Sequence, residues 1–204
     1  RLIAVDENGN IVDGDHIMVL SAIHLKNKGK LAQDTLVVTV MNNIGLTIAA
    51  KGHGINLATT AVGDRYVLEE MKNSGYNLGG EQSGHMIFLD YNTTGDGVLS
   101  SLVLAQIVLE EGKKLSELAA VMTQYPQVLV NARIKNENKN RYMEYPEIKS
   151  EIERIEKLLD GCGRVLIRPS GTEPLVRVML EGKEEGQIKE LATNLANLIQ
   201  EKLS

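Results

Sequence analysis

The chain has no tryptophan, one phenylalanine, one cysteine and four prolines among 204 residues. Aromatics make up 3% of it, too few for platforms that stack nucleobases. A single cysteine, Cys162, excludes an intrachain disulfide and fits a reducing, cytoplasmic setting. No apolar run approaches the roughly 20 residues that span a bilayer. The opening stretch, residues 1–6, does not read as a secretion signal. A basic run is also missing. Lys+Arg 22 against Asp+Glu 27 leave a net charge of -5, which argues against a nucleic-acid groove. A nucleic acid or a membrane is therefore not the expected partner.

What is present is ordinary globular material, 43% hydrophobic and 24% charged, with enough length for one or two cores. Residues 2–5 and 11–12 read as hairpin arms around the turn Glu7-Asn8-Gly9-Asn10. Asp15 stands where an N-cap belongs, before an apolar run that starts a helix ending near Gly29. Residues 35–41 form a continuous β-branched run suited to a buried parallel strand. Asn43 is placed to cap a helix that stops near Gly52 or Gly54, and residues 55–60 are a second strand. A helix starting at Asp64, strands at 76–78 and 86–89, a long helix after Asp96 and a short one at 115–122 follow. This alternation predicts an α/β layer with a mixed, largely parallel sheet over residues 1–123.

Pro126 breaks the pattern. Beyond it, residues 127–204 read as a smaller α+β domain in the order β-α-β-β-α. A strand at 128–134 leads into a polar stretch at 135–141, expected to be an exposed loop. A helix follows between Pro146 and Gly161, then strands at 164–167 and 175–180 and a last helix at 184–202.

Two loops could carry chemistry. The first is Arg168-Pro169-Ser170-Gly171-Thr172-Glu173-Pro174, between two predicted strands. Gly171 can let the backbone turn its N–H groups one way, Ser170 and Thr172 add hydroxyls, and Arg168 offers a fork that matches a phosphate edge. Arg177 is near enough in sequence to add charge. A plain polar hairpin turn fits the same residues. The second is Gly79-Gly80-Glu81-Gln82-Ser83-Gly84-His85. Its carboxylate and hydroxyl suit vicinal sugar hydroxyls, and His85 can move a proton near neutral pH. A glycine-rich hairpin with a tip facing water fits equally well. The stretch Val62-Gly63-Asp64-Arg65 reads as a helix start with a solvated arginine. Asp13-Gly14-Asp15-His16 is more simply a hairpin exit and cap than a metal loop. Cys162 lacks a basic neighbour in sequence, and His16 and His24 are not at a ligand spacing.

The segment GEQSGH (Gly80 to His85), followed by RPSGTEP (Arg168 to Pro174), with VGDRYV (Val62 to Val67) before them, resembles the α-D-phosphohexomutase superfamily. Gln82 after Glu81 is similar to the bacterial phosphoglucosamine mutase branch. The resemblance covers the whole chain as the C-terminal half of a longer protein. It implies four domains around one cleft, of which these are the third and fourth, the last being a mobile lid hinged near 123–127. It also implies interconversion of glucosamine 6-phosphate and glucosamine 1-phosphate through a phosphoserine enzyme and a bisphosphate intermediate, in a route to cell-wall precursors.

By the same resemblance Glu81 and Ser83 grip the sugar. Arg168, Ser170, Gly171, Thr172 and Arg177 hold the phosphate that is not reacting. His85, Arg65 and Arg1 belong to the catalytic surround. Mg²⁺ is expected on an aspartate loop just upstream of Arg1, so no metal ligand is expected within this sequence. The serine is also expected upstream. The expected partners are thus an amino-sugar phosphate and the N-terminal domains, with no mutase activity in this chain alone. A phosphomannomutase or phosphoglucomutase relative, or a stand-alone phosphosugar-binding module, are the alternatives.

Overall fold

The computed structural model describes residues 1–203, and Ser204, the last residue of the expected second domain, lies outside them. The chain divides into two compact units, one from Arg1 to Gln124 and one from Tyr125 onward. No helix among the described residues is long and apolar enough to cross a membrane.

The first unit opens with the hairpin β1 (Ala4–Val5) and β2 (Ile11–Val12), whose tight turn is closed by Asp6, a side-chain acceptor for the amides of Asn8 and Asn10. The helix α1 (Gly14–Asn27) follows. Asp13, not Asp15, caps it by accepting from the amide of His16. Asp15 lies in the first turn and is fully buried.

A four-stranded sheet is built from β3 (Thr35–Thr39), β4 (Asn56–Thr60), β5 (Leu78–Gly80) and β6 (Met86–Phe88), in the order β4-β3-β5-β6. β3 runs parallel to β4 and to β5, and β5 pairs antiparallel with β6. The sheet is therefore mixed and mostly parallel. The helices α2 (Ile44–Gly52), α3 (Asp64–Ser74), α4 (Gly97–Glu111) and α5 (Leu115–Ala119) complete the unit.

Side-chain alternation along the strands divides the core into two faces. Leu36 and Val38 of β3, with Met86 and Phe88 of β6, pack among residues of α1, α2, α4 and α5. Val37 and Ile87 point the other way and meet Val67 and Met71 of α3. Buried on both faces, β3 carries Leu36, Val37 and Val38 between two buried threonines, and this is why it reads as a continuous β-branched run in the sequence.

The second unit is an antiparallel sheet in the order β7-β9-β8: β7 (Gln127–Arg133), β8 (Arg164–Pro169) and β9 (Leu175–Glu181). Two helices, α6 (Pro146–Leu158) and α7 (Glu185–Leu203), give the order β-α-β-β-α. Val128, Val130 and Ala132, Val165 and Ile167, and Val176, Val178 and Leu180 alternate onto one face and pack with Ile148 and Ile155 of α6 and Ile188 and Leu195 of α7. The polar stretch at 135–141 is tied down rather than free. It holds a 3-10 turn (Asn136–Asn138), and Asn138 donates to the carbonyl of Leu203 at 3.0 Å.

Candidate functional site

In the first unit the loop between β5 and β6 is pinned by backbone bonds at both ends. Glu81 N–H donates to the carbonyl of His85 (2.9 Å), and Gly84 N–H to the carbonyl of Glu81 (3.0 Å). Two other segments hold its outer edge. Leu2 N–H donates to the Gly84 carbonyl (3.0 Å) and Gly14 N–H to the Gln82 carbonyl (3.1 Å). Gly14 is glycine because the loop lies against it. A Cβ there would stand 2.4 Å from the Glu81 carbonyl oxygen and 2.6 Å from that of Gln82. The same holds for Gly95 beside His85, where a Cβ would meet Nε2 at 2.4 Å.

The loop gathers several of the residues singled out in the sequence. The Glu81 carboxylate accepts from Gly63 N–H at 3.0 Å, which ties the sugar-type loop to the start of α3. Ser83 is exposed, and its carbonyl accepts from the Arg1 guanidinium at 3.5 Å. His85 is mostly buried, and its Nε2 has no hydrogen-bond partner and no exposed surface. The nearest charged oxygen is Oδ2 of Asp64, at 3.7 Å. Arg65 does not join this group. Its guanidinium donates to Glu69 (2.8 Å) one turn along α3, and that bond raises its already high pKa. The carboxylate that does approach His85 is Asp64, which sequence reasoning treated only as a helix start. An acidic residue at the N-terminus of a helix is ordinary capping chemistry, so nothing in the pattern marked it.

In the second unit the turn from β8 to β9 has a different character. Ser170 is buried; its amide donates to the Leu175 carbonyl (2.9 Å) and its hydroxyl accepts from Glu173 N–H (3.2 Å). Leu175 N–H closes the turn on the Glu173 carbonyl at 2.9 Å, and Pro169 and Pro174 have no N–H to offer. That leaves the amides of Gly171 and Thr172, which have no partner among the described residues. Gly171 does not adopt a left-handed φ, and a Cβ on it would meet nothing within 4 Å. The turn itself therefore does not demand glycine there, contrary to the role assigned from sequence.

Three cations border these free donors. Arg168 and Arg177 are register partners across β8 and β9. Alternation puts both on the sheet face opposite the one packed by α6 and α7. Arg177 also reaches the Glu173 carboxylate at 3.4 Å. Arg168 has no carboxylate partner among the described residues. Burial, and then the charge of Arg177, hold its guanidinium below the usual arginine range. The third cation is Lys139, whose Nζ donates to the carbonyl of Ser170 at 2.9 Å. It was missed because its stretch reads as an exposed polar loop. The cluster of lysines and arginines in residues 135–141 was the available signal.

No group of three or more His, Cys, Asp or Glu side chains among the described residues could hold a metal ion. Cys162, which has no basic neighbour in sequence, lies beside Lys183 in space, where its thiol raises the ammonium's pKa.

Comparison with known proteins agrees over most of the chain. Residues 13–125 match the family model described as phosphoglucomutase/phosphomannomutase, alpha/beta/alpha domain III. Residues 129–198 match that of the phosphoglucomutase/phosphomannomutase C-terminal domain. The phosphoglucosamine mutase of Clostridioides difficile (strain 630) is 84% identical over 204 residues, covering 100% of this chain and 46% of its own length. That of Caldanaerobacter subterraneus subsp. tengcongensis is 63% identical with the same coverage. The chain thus spans about half the length of the curated relatives it matches. Among solved structures, Aspergillus fumigatus N-acetylphosphoglucosamine mutase in complex with GlcNAc-6P and magnesium has a TM-score of 0.76 at 21% identity. The match covers 97% of this chain and 49% of that one. A phosphoglucomutase/phosphomannomutase family protein from Burkholderia thailandensis gives 0.73 at 18%, covering 100% and 45%. At such identities these two likenesses show the fold.

Proposed function

The chain belongs to the phosphoglucomutase/phosphomannomutase family, and from that premise we propose that it is the recognition half of an enzyme interconverting glucosamine 6-phosphate and glucosamine 1-phosphate. The second unit holds the phosphate that is not being transferred, and the first reads the sugar. The observation that carries this reading is the turn after β8. Two unspent amides, an arginine without a counter-ion, a second arginine facing it and a lysine all border one short loop. A phosphate dianion supplies what the two amides and Arg168 lack, an acceptor and a negative charge, and adds to the partners that Arg177 and Lys139 already have. Such a clamp suits a reaction in which either end of the substrate must be held, because it reads phosphate rather than sugar.

In this reading Glu81 and Ser83 bind the sugar hydroxyls. By the resemblance, His85, whose Nε2 has no hydrogen-bond partner, is assigned to hold or move a proton at a substrate oxygen. Arg1 and Arg65 are assigned to the catalytic surround by the resemblance; Arg1 donates to the Ser83 carbonyl and Arg65 to Glu69. No metal-holding group is found among the described residues, and by the resemblance Mg²⁺ and the phosphoserine belong to the part of the relatives' length that this chain does not span. Such a metal offsets charge on the transferred group. Without both, this chain alone binds sugar phosphates and does not isomerise them.

The test uses the full-length protein and the 204-residue chain side by side. The full-length protein should interconvert the two glucosamine phosphates with a higher kcat/KM than for the glucose or mannose phosphates. The shorter chain should bind glucosamine 1-phosphate with amide NMR shifts concentrated at residues 168–172, and should turn over none of it. Shifts elsewhere, or a preference for a neutral hexose, would overturn the proposal.

A further inference from the structure

The glucosamine reading leaves open what distinguishes an amino sugar from other hexoses, and a carboxylate beside the sugar loop is placed to do so. Asp64 opens α3. Its Oδ1 accepts from the Arg65 amide at 2.9 Å, an ordinary helix-start bond. Its Oδ2 points back to the β5–β6 loop, 3.7 Å from Nε2 of His85. The Asp64 side chain is 62% exposed, so it is open to a ligand. The cation next to it in sequence does not neutralise it, because the Arg65 guanidinium has turned to Glu69.

The placement is fixed on both sides. Gly63 N–H donates to the Glu81 carboxylate, so the start of α3 and the sugar-type loop are held as one piece. The result is two carboxylates, Asp64 and Glu81, on the loop and the helix start that this bond ties together. For a neutral sugar bearing a phosphate dianion, a second carboxylate adds repulsion. Glu81 alone can accept from vicinal hydroxyls. Asp64 gains most when the sugar itself carries a positive charge, as a 2-amino sugar does at neutral pH, because a charged donor then offsets the repulsion.

We propose that Asp64 is the specificity-determining residue of this half-site, its carboxylate pairing with the ammonium group of an amino-sugar phosphate. It thereby disfavours hexose phosphates, which have a hydroxyl there, and N-acetylated sugars, whose amide is uncharged. The inference rests on the reading of the chain as part of a hexosamine-phosphate mutase. It adds the atom that does the selecting.

Asp64→Asn in the full-length protein tests it. The amide keeps the shape and can still accept from Arg65 N–H, so α3 starts as before. The kcat/KM for glucosamine 6-phosphate should fall about 10-fold or more, as expected for a lost charged hydrogen bond, while that for glucose 6-phosphate changes less than ~3-fold. Asp64→Ser, at unchanged melting temperature, gives a second reading. Equal losses on both substrates would make Asp64 a structural residue and overturn the inference, as would an unchanged ratio. A parent enzyme with no preference for glucosamine phosphates would instead refute the functional reading beneath it. A parent preference that survives Asp64→Asn refutes the role of Asp64 alone.

Discussion

Arg168 and Arg177 stand directly opposite one another on β8 and β9. Like charges in a register pair destabilise a sheet, typically by ~0.2–1 kcal/mol. Arg168 bears this without a carboxylate of its own, and partial burial adds to the cost of its charge. A bound dianion reverses the balance. Arg168→Gln should therefore leave stability unchanged or raise it by about 0.2–1 kcal/mol in phosphate-free buffer. With glucosamine 1-phosphate present, the same change should cost ~1.5–3 kcal/mol of binding. Thermal melts with and without inorganic phosphate, together with calorimetric titration, read both signs. A variant that is less stable without phosphate and binds as tightly as the parent would remove the clamp.

Lys139 should contribute less. Its ammonium already donates to the Ser170 carbonyl, so its attraction for a ligand acts at the rim of the turn. Lys139→Met is expected to weaken phosphate binding by ~2- to 5-fold, the range of an exposed ion pair, with the effect shrinking as salt is added. A salt-independent loss would mean that Lys139 serves the fold of the 135–141 stretch instead.

Much of the fold was legible because local chemistry and tertiary demand coincide. The β-branched run of β3 suits a strand covered on both faces, and the caps at Asn43 and Asp96 hold as read. Asp15 shows where local reasoning ends. Both Asp13 and Asp15 have the chemistry of an N-cap, and choosing between them requires knowing that Asn42 and Asn43 wait to receive the second carboxylate. The two loops were legible as polar, glycine-containing turns. Which of their amides stay unspent was not, because that depends on partners such as Leu175 and Glu173 closing the rest of the turn. Likewise, Arg65 could not be told from Asp64 as the loop's neighbour until Glu69, one turn away, claimed its guanidinium.

Gly14 gives a steric test of the sugar loop. A methyl group there would overlap the carbonyl oxygens of Glu81 and Gln82, both backbone atoms that move only if the loop moves. Gly14→Ala should cost ~1–3 kcal/mol of stability, the usual range for overpacking. It should also displace Glu81 and weaken sugar-phosphate turnover in the full-length protein while leaving phosphate binding by the second unit intact. Far-UV circular dichroism, melting temperature and a titration with inorganic phosphate separate these outcomes. Unchanged turnover would show that the loop's position against α1 does not matter to function.

Asp15 gives a pH test with a definite sign. Its carboxylate is fully buried at the start of α1, accepting from the Asn43 amide at 2.7 Å and from the side-chain amide of Asn42. Burial, only partly opposed by those two bonds, pushes its pKa from 3.8 up to about 7. Between about pH 4 and 7 the folded chain therefore keeps a proton that the unfolded chain has lost. The stabilising contribution of that proton is complete below the unfolded pKa and disappears as pH rises through the folded one. Asp15→Asn has no such proton to lose. The stability of the parent minus that of the variant should accordingly fall between about pH 4 and 7, by at most ~1.4 kcal/mol per pH unit, and level off above. Burial would raise the Asp13 carboxyl but its bonds to His16 lower it, and its charge helps to raise Asp15, so the difference reads the two neighbouring carboxyls together. Denaturant melts of the two chains across that range supply the measurement. A difference that is flat, or that grows with pH, would show that Asp15 is held as a carboxylate and that Asn42 and Asn43 outweigh its burial.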